Sequence, residues 1–128
     1  MRQLKCEMYP LILALVTDEE EFEKLLSKIP DKYNFCKNFP APGTGVTLTF
    51  DSPISGLLVL IGLGETSNSS DEQVISILTH EAVHVWRAVQ KAMHIKKPDN
   101  ETEAYAIQFY ARYLVKEYFY RKNKPTKK

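Results

Sequence analysis

Two histidines and a glutamate are the residues whose types and spacing most clearly suggest chemistry. His80, Glu81 and His84 follow one another in the order His-Glu-x-x-His. On a helix, histidines at positions i and i+4 lie on one face, within reach of a single tetrahedral ion. The glutamate beside the first histidine stands where a general base would be needed. The spacing therefore predicts a zinc site with a position left open for water.

The surrounding helix supports an accessible site. At about 100° per residue from His80, the polar residues Gln73, Ser76, Arg87 and Lys91 share the histidine side. We therefore expect the histidines to face a polar cleft rather than the core, although two surface histidines without a metal remain an alternative. The apolar residues lie on the opposite side: Val74, Ile75, Leu78, Ala82, Val85, Trp86, Val89 and Met93.

A catalytic zinc ion needs a third protein ligand. His94 is too far along the same helix, about 15 Å from His84 at a rise of 1.5 Å per residue. Glu101 and Glu103 lie on the next helix, which can pack back against the first. Glu103 is predicted to face inward and to bind the metal, or else to cap the helix as the partner of Asn100. Glu103 shares its side with the apolar Ile107, Tyr110 and Leu114, whereas Glu101 shares its side with polar neighbours.

The predicted chemistry is hydrolysis of an amide. Zinc acidifies a bound water, and Glu81 could take the proton of that water and pass it to a leaving amine. The reaction also needs a group that stabilises the oxyanion. Tyr105 and Tyr110 are the candidates, with Tyr110 taken as the catalytic residue; a place in the core is the alternative for each.

The elements that must position these residues are predicted as a mixture of strands and helices. Two strands form a hairpin ahead of the histidine helix, and an earlier strand and helix open the chain. A capping box is expected at the start of each of the first two helices. The fold class is therefore α+β. The predicted elements are a strand at 10–16, a helix from Thr17 to about Ile29, strands at 46–50 and 56–63, and helices from Ser70 to about Ile95 and from Glu101 to Tyr120.

Composition indicates one domain over residues 1–128. The chain is 44% hydrophobic and has a formal net charge of +1, and five of its basic residues lie at 121–128, which are expected to be a solvated tail. The first 120 residues therefore carry a net charge of −4, which argues against nucleic-acid binding. No apolar run is long enough for a membrane span. Cys6 and Cys36 match no zinc or disulfide pattern, so a reducing, cytoplasmic location is expected.

The segments Thr79-His-Glu-Ala-Val-His-Val-Trp86 and Glu101-Thr-Glu-Ala-Tyr-Ala-Ile-Gln108 together resemble the gluzincin zinc metallopeptidases, and most closely the minigluzincins and the small His-Glu-x-x-His proteins of bacteriophages and prophages. The resemblance covers about residues 74–115. It implies a zincin-like fold, zinc as cofactor, Glu81 as base, and an edge strand within residues 46–63 that pairs with an extended substrate. Many gluzincins carry an acidic residue at the position of Ile107, and this chain does not.

Two functions follow from the motif and the resemblance together. The first is a zinc metallopeptidase acting on a polypeptide in the cytoplasm of a bacterial host. The second is a catalytically idle, metallopeptidase-like protein of phage origin that binds a host protein. The presence of Glu81 favours the first, because a purely structural zinc site is closed by four protein ligands and has no use for a base.

Overall fold

The structure is a computed structural model that describes residues 3–6, 11–29, 38–52 and 56–124. These residues form a small α+β domain with a mixed sheet and three helices, which confirms the predicted fold class. The elements are β1 (Gln3–Cys6), β2 (Leu11–Val16), α1 (Glu19–Leu26), β3 (Gly45–Ser52), β4 (Gly56–Leu63), α2 (Asp71–Ala92) and α3 (Asn100–Asn123).

The sheet has the strand order β1-β2-β4-β3. β2 and β4 run parallel at its centre, and β1 and β3 are antiparallel neighbours at the two edges. β3 and β4 are the hairpin expected from the sequence, although its turn at 53–55 lies outside the described residues. β1 was not predicted, because a four-residue strand carries too little pattern of its own and is defined here by its pairing with β2.

Each face of the sheet is covered by helix. Alternate residues of β2 and β4 pack against α2 and α3, and the residues between them pack against α1. Burial on both faces explains why these two strands read as continuous apolar runs. In β3 the apolar residues Val46, Leu48 and Phe50 pack on the α1 side only. The other face of β3 is therefore left for polar residues, and it borders α2.

The helix caps agree with the sequence at α2 and differ at α1. Ser70 caps α2 through the predicted capping box with Gln73, which fixes where the histidine helix begins. At α1 the predicted cap Thr17 is wrong. Asp18 is the cap and accepts a hydrogen bond from the backbone N–H of Glu20. The Asp18 carboxylate, one residue after Thr17, reaches this donor as well as the Thr17 hydroxyl would.

The end of α3 differs from the predicted basic tail. The helix continues to Asn123, and Arg121 lies within 3.3 Å of Glu21 and 3.5 Å of the buried Glu117. Lys122 pairs with Asp71 at 2.7 Å, and this hydrogen bond raises the pKa of the lysine. These basic side chains therefore join α3 to α1 and to the start of α2, and residues 125–128 lie outside the described part.

No helix in the described part of the chain combines the length and the apolar character needed to cross a membrane.

Candidate metal site

One turn of α2 brings the three residues of the predicted motif together. The side chains of His80, Glu81 and His84 each offer a ligand atom, and these atoms lie within 4.8 Å of one another. The two imidazole rings are 5.0 Å apart between centroids. Among the described residues this is the one group of three or more histidine, cysteine or acidic side chains that could hold a metal ion.

The motif opens into a groove of about 580 Å³ between α2 and the edge strand β3. His80 and His84 are exposed in it, whereas most of the hydrophobic side of α2 is buried against the sheet; Ile75 and Met93, which were expected on that side, are exposed. The expectation that the histidines face a polar cleft is therefore confirmed. The groove is lined by Gly45, Val46, Thr47 and Thr49 of β3 and by His80, Glu81, His84, Arg87, Ala88 and Lys91 of α2.

Glu81 differs from its two histidine neighbours in being buried, with 4% of its surface exposed. The Thr47 hydroxyl of β3 donates a hydrogen bond to Glu81 Oε2 at 3.3 Å. Gly45 lets β3 approach at this point, since a Cβ there would lie 2.9 Å from Ile77 Cγ2 and 3.3 Å from Glu81 Cγ. The strand therefore orients the carboxylate that the helix carries.

Glu103, the predicted third ligand, is not part of this cluster. Its Oε2 accepts hydrogen bonds from Trp86 Nε1 at 3.0 Å and from Arg87 Nη1 at 3.3 Å, and Glu103 does not line the groove. Trp86 is fully buried, so Glu103 satisfies an indole N–H that has no access to water. In this position Glu103 joins α3 to Trp86 and Arg87 of α2.

The other expectations for the start of α3 are resolved in part. Glu103 faces α2 and Glu101 is exposed, as predicted. The alternative that Glu103 caps the helix as the partner of Asn100 is wrong, because Asp99 is the cap and Asn100 is already helical. Asp99 accepts from the backbone N–H of Thr102, and the Glu103 carboxylate is bonded to Trp86 and Arg87 instead.

Neither candidate tyrosine lies in the groove. Tyr110 is 1% exposed and belongs to the main hydrophobic core, so the structure gives it the core position that was the alternative. Tyr105 is 67% exposed on α3 and does not line the groove. His94 follows the end of α2 in a left-handed conformation with φ of 57° and is not in the metal cluster.

Sequence reasoning missed two contributions of β3 to the site. Thr47 and Gly45 gave no motif, although the alternation of Val46, Leu48 and Phe50 already placed the odd-numbered positions on one face of the strand. That this face meets Glu81 depends on how α2 packs on the sheet. Spacing along the chain carries no signal for it.

No protein family model, curated protein or solved structure matches the chain. Two imidazole nitrogens and a nearby carboxylate could hold a metal ion, and the groove has room for water and for a bound molecule.

Proposed function

We propose that the chain is a small zincin-like zinc metallopeptidase of the gluzincin type. The observation that carries the proposal is the group of His80, Glu81 and His84 at the floor of an open groove beside an edge strand. In this proposal the two histidines and Glu103 hold the zinc ion. The order of an edge strand, a histidine helix and a following helix with an acidic first turn is what the resemblance to gluzincins implies.

Bound zinc would supply an acidified water and an electrophile for the substrate carbonyl. The residues of the chain supply the proton transfer and the positioning. Glu81 takes a proton from water in the groove and delivers it to the leaving amine. Thr47 holds the Glu81 carboxylate in place, and burial limits its movement. The outer edge of β3 offers backbone groups that can pair with an extended peptide.

Glu103 is kept as the third ligand because it is the acidic side chain of the first turn of α3 that faces α2. Both of its hydrogen bonds use Oε2, and its neighbour Arg87 lines the groove that holds His84. Metal binding would require the carboxylate to turn towards the histidines. Tyr110 has no role in the proposed chemistry, since it is enclosed in the core.

A second candidate function is supported by the same placement of Glu103. If that carboxylate stays with Trp86 and Arg87, the groove keeps two histidines and Glu81 but lacks the third ligand of a catalytic zinc site. The chain would then be a metallopeptidase-like protein that binds a polypeptide without cleaving it.

Glu81→Gln tests the proposed function directly. We expect wild type to bind about one zinc ion per chain and to cleave an unstructured polypeptide such as casein. The variant should keep the zinc, and its cleavage rate should fall by about 10²- to 10⁴-fold, because an amide replaces the carboxylate that acts as the base. Metal analysis and a fluorescent casein assay measure the two properties separately.

Glu72→Gln is the matched control, since Glu72 is an exposed glutamate in the first turn of α2 and does not line the groove. Equal cleavage by wild type and Glu81→Gln would contradict the mechanism. Failure to take up zinc after reconstitution would contradict the metal site itself. Zinc binding without cleavage by wild type would favour the second candidate.

A further inference from the structure

The groove continues beyond the histidines into a second cavity. This cavity has a volume of about 370 Å³ and shares Arg87 and Lys91 with the groove. We call it the basic pocket, and it is lined by Arg87, Gln90, Lys91, His94, Ile95 and Lys96. A molecule bound along the groove can therefore extend into the basic pocket.

The basic pocket lies at a defined distance from the metal-site residues. Lys91 is seven positions after His84, so it is on nearly the same face of α2 and about 10 Å further along the helix axis. An extended peptide advances about 3.3 Å per residue. The pocket is therefore about three residues away from a peptide bond held at the histidines.

The charges in the pocket are of one sign. Arg87, Lys91 and Lys96 are cationic, and the acidic group beside them is Glu103, which pairs with Arg87 at 3.3 Å. Lys91 and Lys96 form no ion pair with any residue in the described part of the chain. Elsewhere in that part, Lys122 pairs with Asp71. Two lysines without an ion-pair partner beside a groove are suited to an anionic ligand.

The wall that carries these cations is held in place by Gln90. Its side-chain oxygen accepts from Arg87 Nη1 at 2.9 Å, and its amide nitrogen donates to the Ile95 carbonyl at 3.0 Å. The Ile95 backbone N–H in turn donates to the Gln90 carbonyl at 3.0 Å. The chain after α2 is thereby folded back over the end of the helix, which forms the pocket.

We infer that the basic pocket binds a carboxylate of the polypeptide that occupies the groove, about three residues from the bond to be cleaved. That a bond is cleaved rests on the proposed function. The pocket itself contains none of the proposed metal ligands. A peptide fits better than a nucleic acid, because the adjoining groove has the edge strand β3 as its second wall and the first 120 residues carry a net charge of −4.

The test uses fluorescein-labelled peptides and fluorescence anisotropy with the full chain. An alanine-based peptide with three consecutive glutamates and an amidated C-terminus is compared with the same peptide carrying glutamines. We expect the glutamate peptide to bind about 10-fold more tightly at low salt, since two or three exposed charge pairs form. A glutamine peptide with a free C-terminus shows whether a terminal carboxylate serves as well as side chains.

Lys91→Glu should abolish the preference for glutamate, and a lysine-containing peptide should then bind the variant more tightly than wild type. Lys116→Glu is the matched control, because Lys116 is an exposed helical lysine of α3 that lines neither cavity. Equal affinity for all the wild-type arms, an equal loss in both variants, or tighter binding of a single-stranded DNA oligomer would overturn the proposal.

Repeating the measurement with His80→Ala separates this inference from the proposed function. The glutamate preference should persist in that variant, because Lys91 and Lys96 are unchanged. Wild type that takes up no zinc but keeps the glutamate preference would count against the metallopeptidase alone. Zinc binding and cleavage without any glutamate preference would count against the basic pocket alone.

Discussion

His80 and His84 occupy one turn of α2 and face an open groove, whereas Glu103 lies between α2 and α3, bound to Trp86 and Arg87. Both regions belong to the proposed zinc site. The first is already arranged with its ligand atoms close together. The second is occupied in holding the two helices together, so metal binding there competes with a packing role.

The difference shows which distances a sequence can predict. Residues four positions apart on one helix have a separation fixed by the helical repeat. The position of Glu103 relative to His84 depends instead on the angle and the register between two helices, which are set by the packing of many side chains. The separation of the two histidines can therefore be predicted from the sequence, whereas the distance from Glu103 to His84 cannot.

The largest expected effect is on the histidine turn. His80→Ala and His84→Ala should each weaken zinc binding by about 100-fold or more, because each removes one of the three ligands of the proposed site. Fold stability without metal should change by less than about 0.5 kcal/mol, since both side chains are exposed. Competition with a zinc-sensitive dye measures affinity, and thermal unfolding in a chelator measures stability.

His94→Ala is the control for a general loss of imidazole. His94 is exposed after the end of α2 and lies outside the cluster, so its removal should leave zinc affinity unchanged. An equal loss in all three variants would mean that zinc binds without preference to surface histidines. The contrast between the histidine turn, whose ligand atoms already lie close together, and Glu103, which is bonded to other side chains, would then have no basis.

A smaller effect is expected at the second region, where Glu103→Ala removes the observed packing role and the proposed ligand role together. The buried Trp86 N–H loses its acceptor, which should lower the free energy of unfolding by about 1 to 3 kcal/mol. Zinc affinity should fall by about 10- to 100-fold if Glu103 completes the site. This is at least the loss of metal affinity that follows when a group supporting a ligand is removed. Glu101→Ala, at an exposed position, should change neither property.

Trp86→Phe sharpens this result because it removes the indole N–H and leaves Glu103 in place. Trp86→Phe also loses core volume. Its free energy of unfolding is therefore the reference value for a double variant that also carries Glu103→Ala. Zinc affinity that is retained in Trp86→Phe and lost in the double variant would identify Glu103 as a ligand. Loss of stability with unchanged zinc affinity in Glu103→Ala would make Glu103 a packing residue alone.

Much of the fold could be predicted because its signals are local. The apolar runs of β2 and β4, the alternation in β3 and the Ser70 capping box are each visible within a short stretch of sequence. The polar face of α2 followed in the same way from the helical period. These local signals were enough to predict a helix that presents two histidines to a groove.

The features that were missed depend on contacts between distant residues. Thr47 meets Glu81 across 34 positions, and Arg121 meets Glu21 across 100. Tyr110 and Glu103 both belong to the inner side of α3, but only the packed structure shows that one is enclosed in the core and the other bonded to Trp86. Helical periodicity alone cannot separate such positions.

The smallest expected effect tests how β3 supports the histidine turn. Thr47→Val keeps the shape of the side chain and removes the hydroxyl that donates to Glu81. A bond of 3.3 Å to a carboxylate should be worth about 1 kcal/mol, which corresponds to about a 5-fold lower rate of cleavage. Zinc affinity should not change, because Thr47 is a positioning residue and contacts no proposed ligand. Thr49→Val, at an exposed position of the same strand, is the matched control. A rate identical to wild type in Thr47→Val would mean that burial on α2 alone orients Glu81, and that β3 contributes only the wall of the groove.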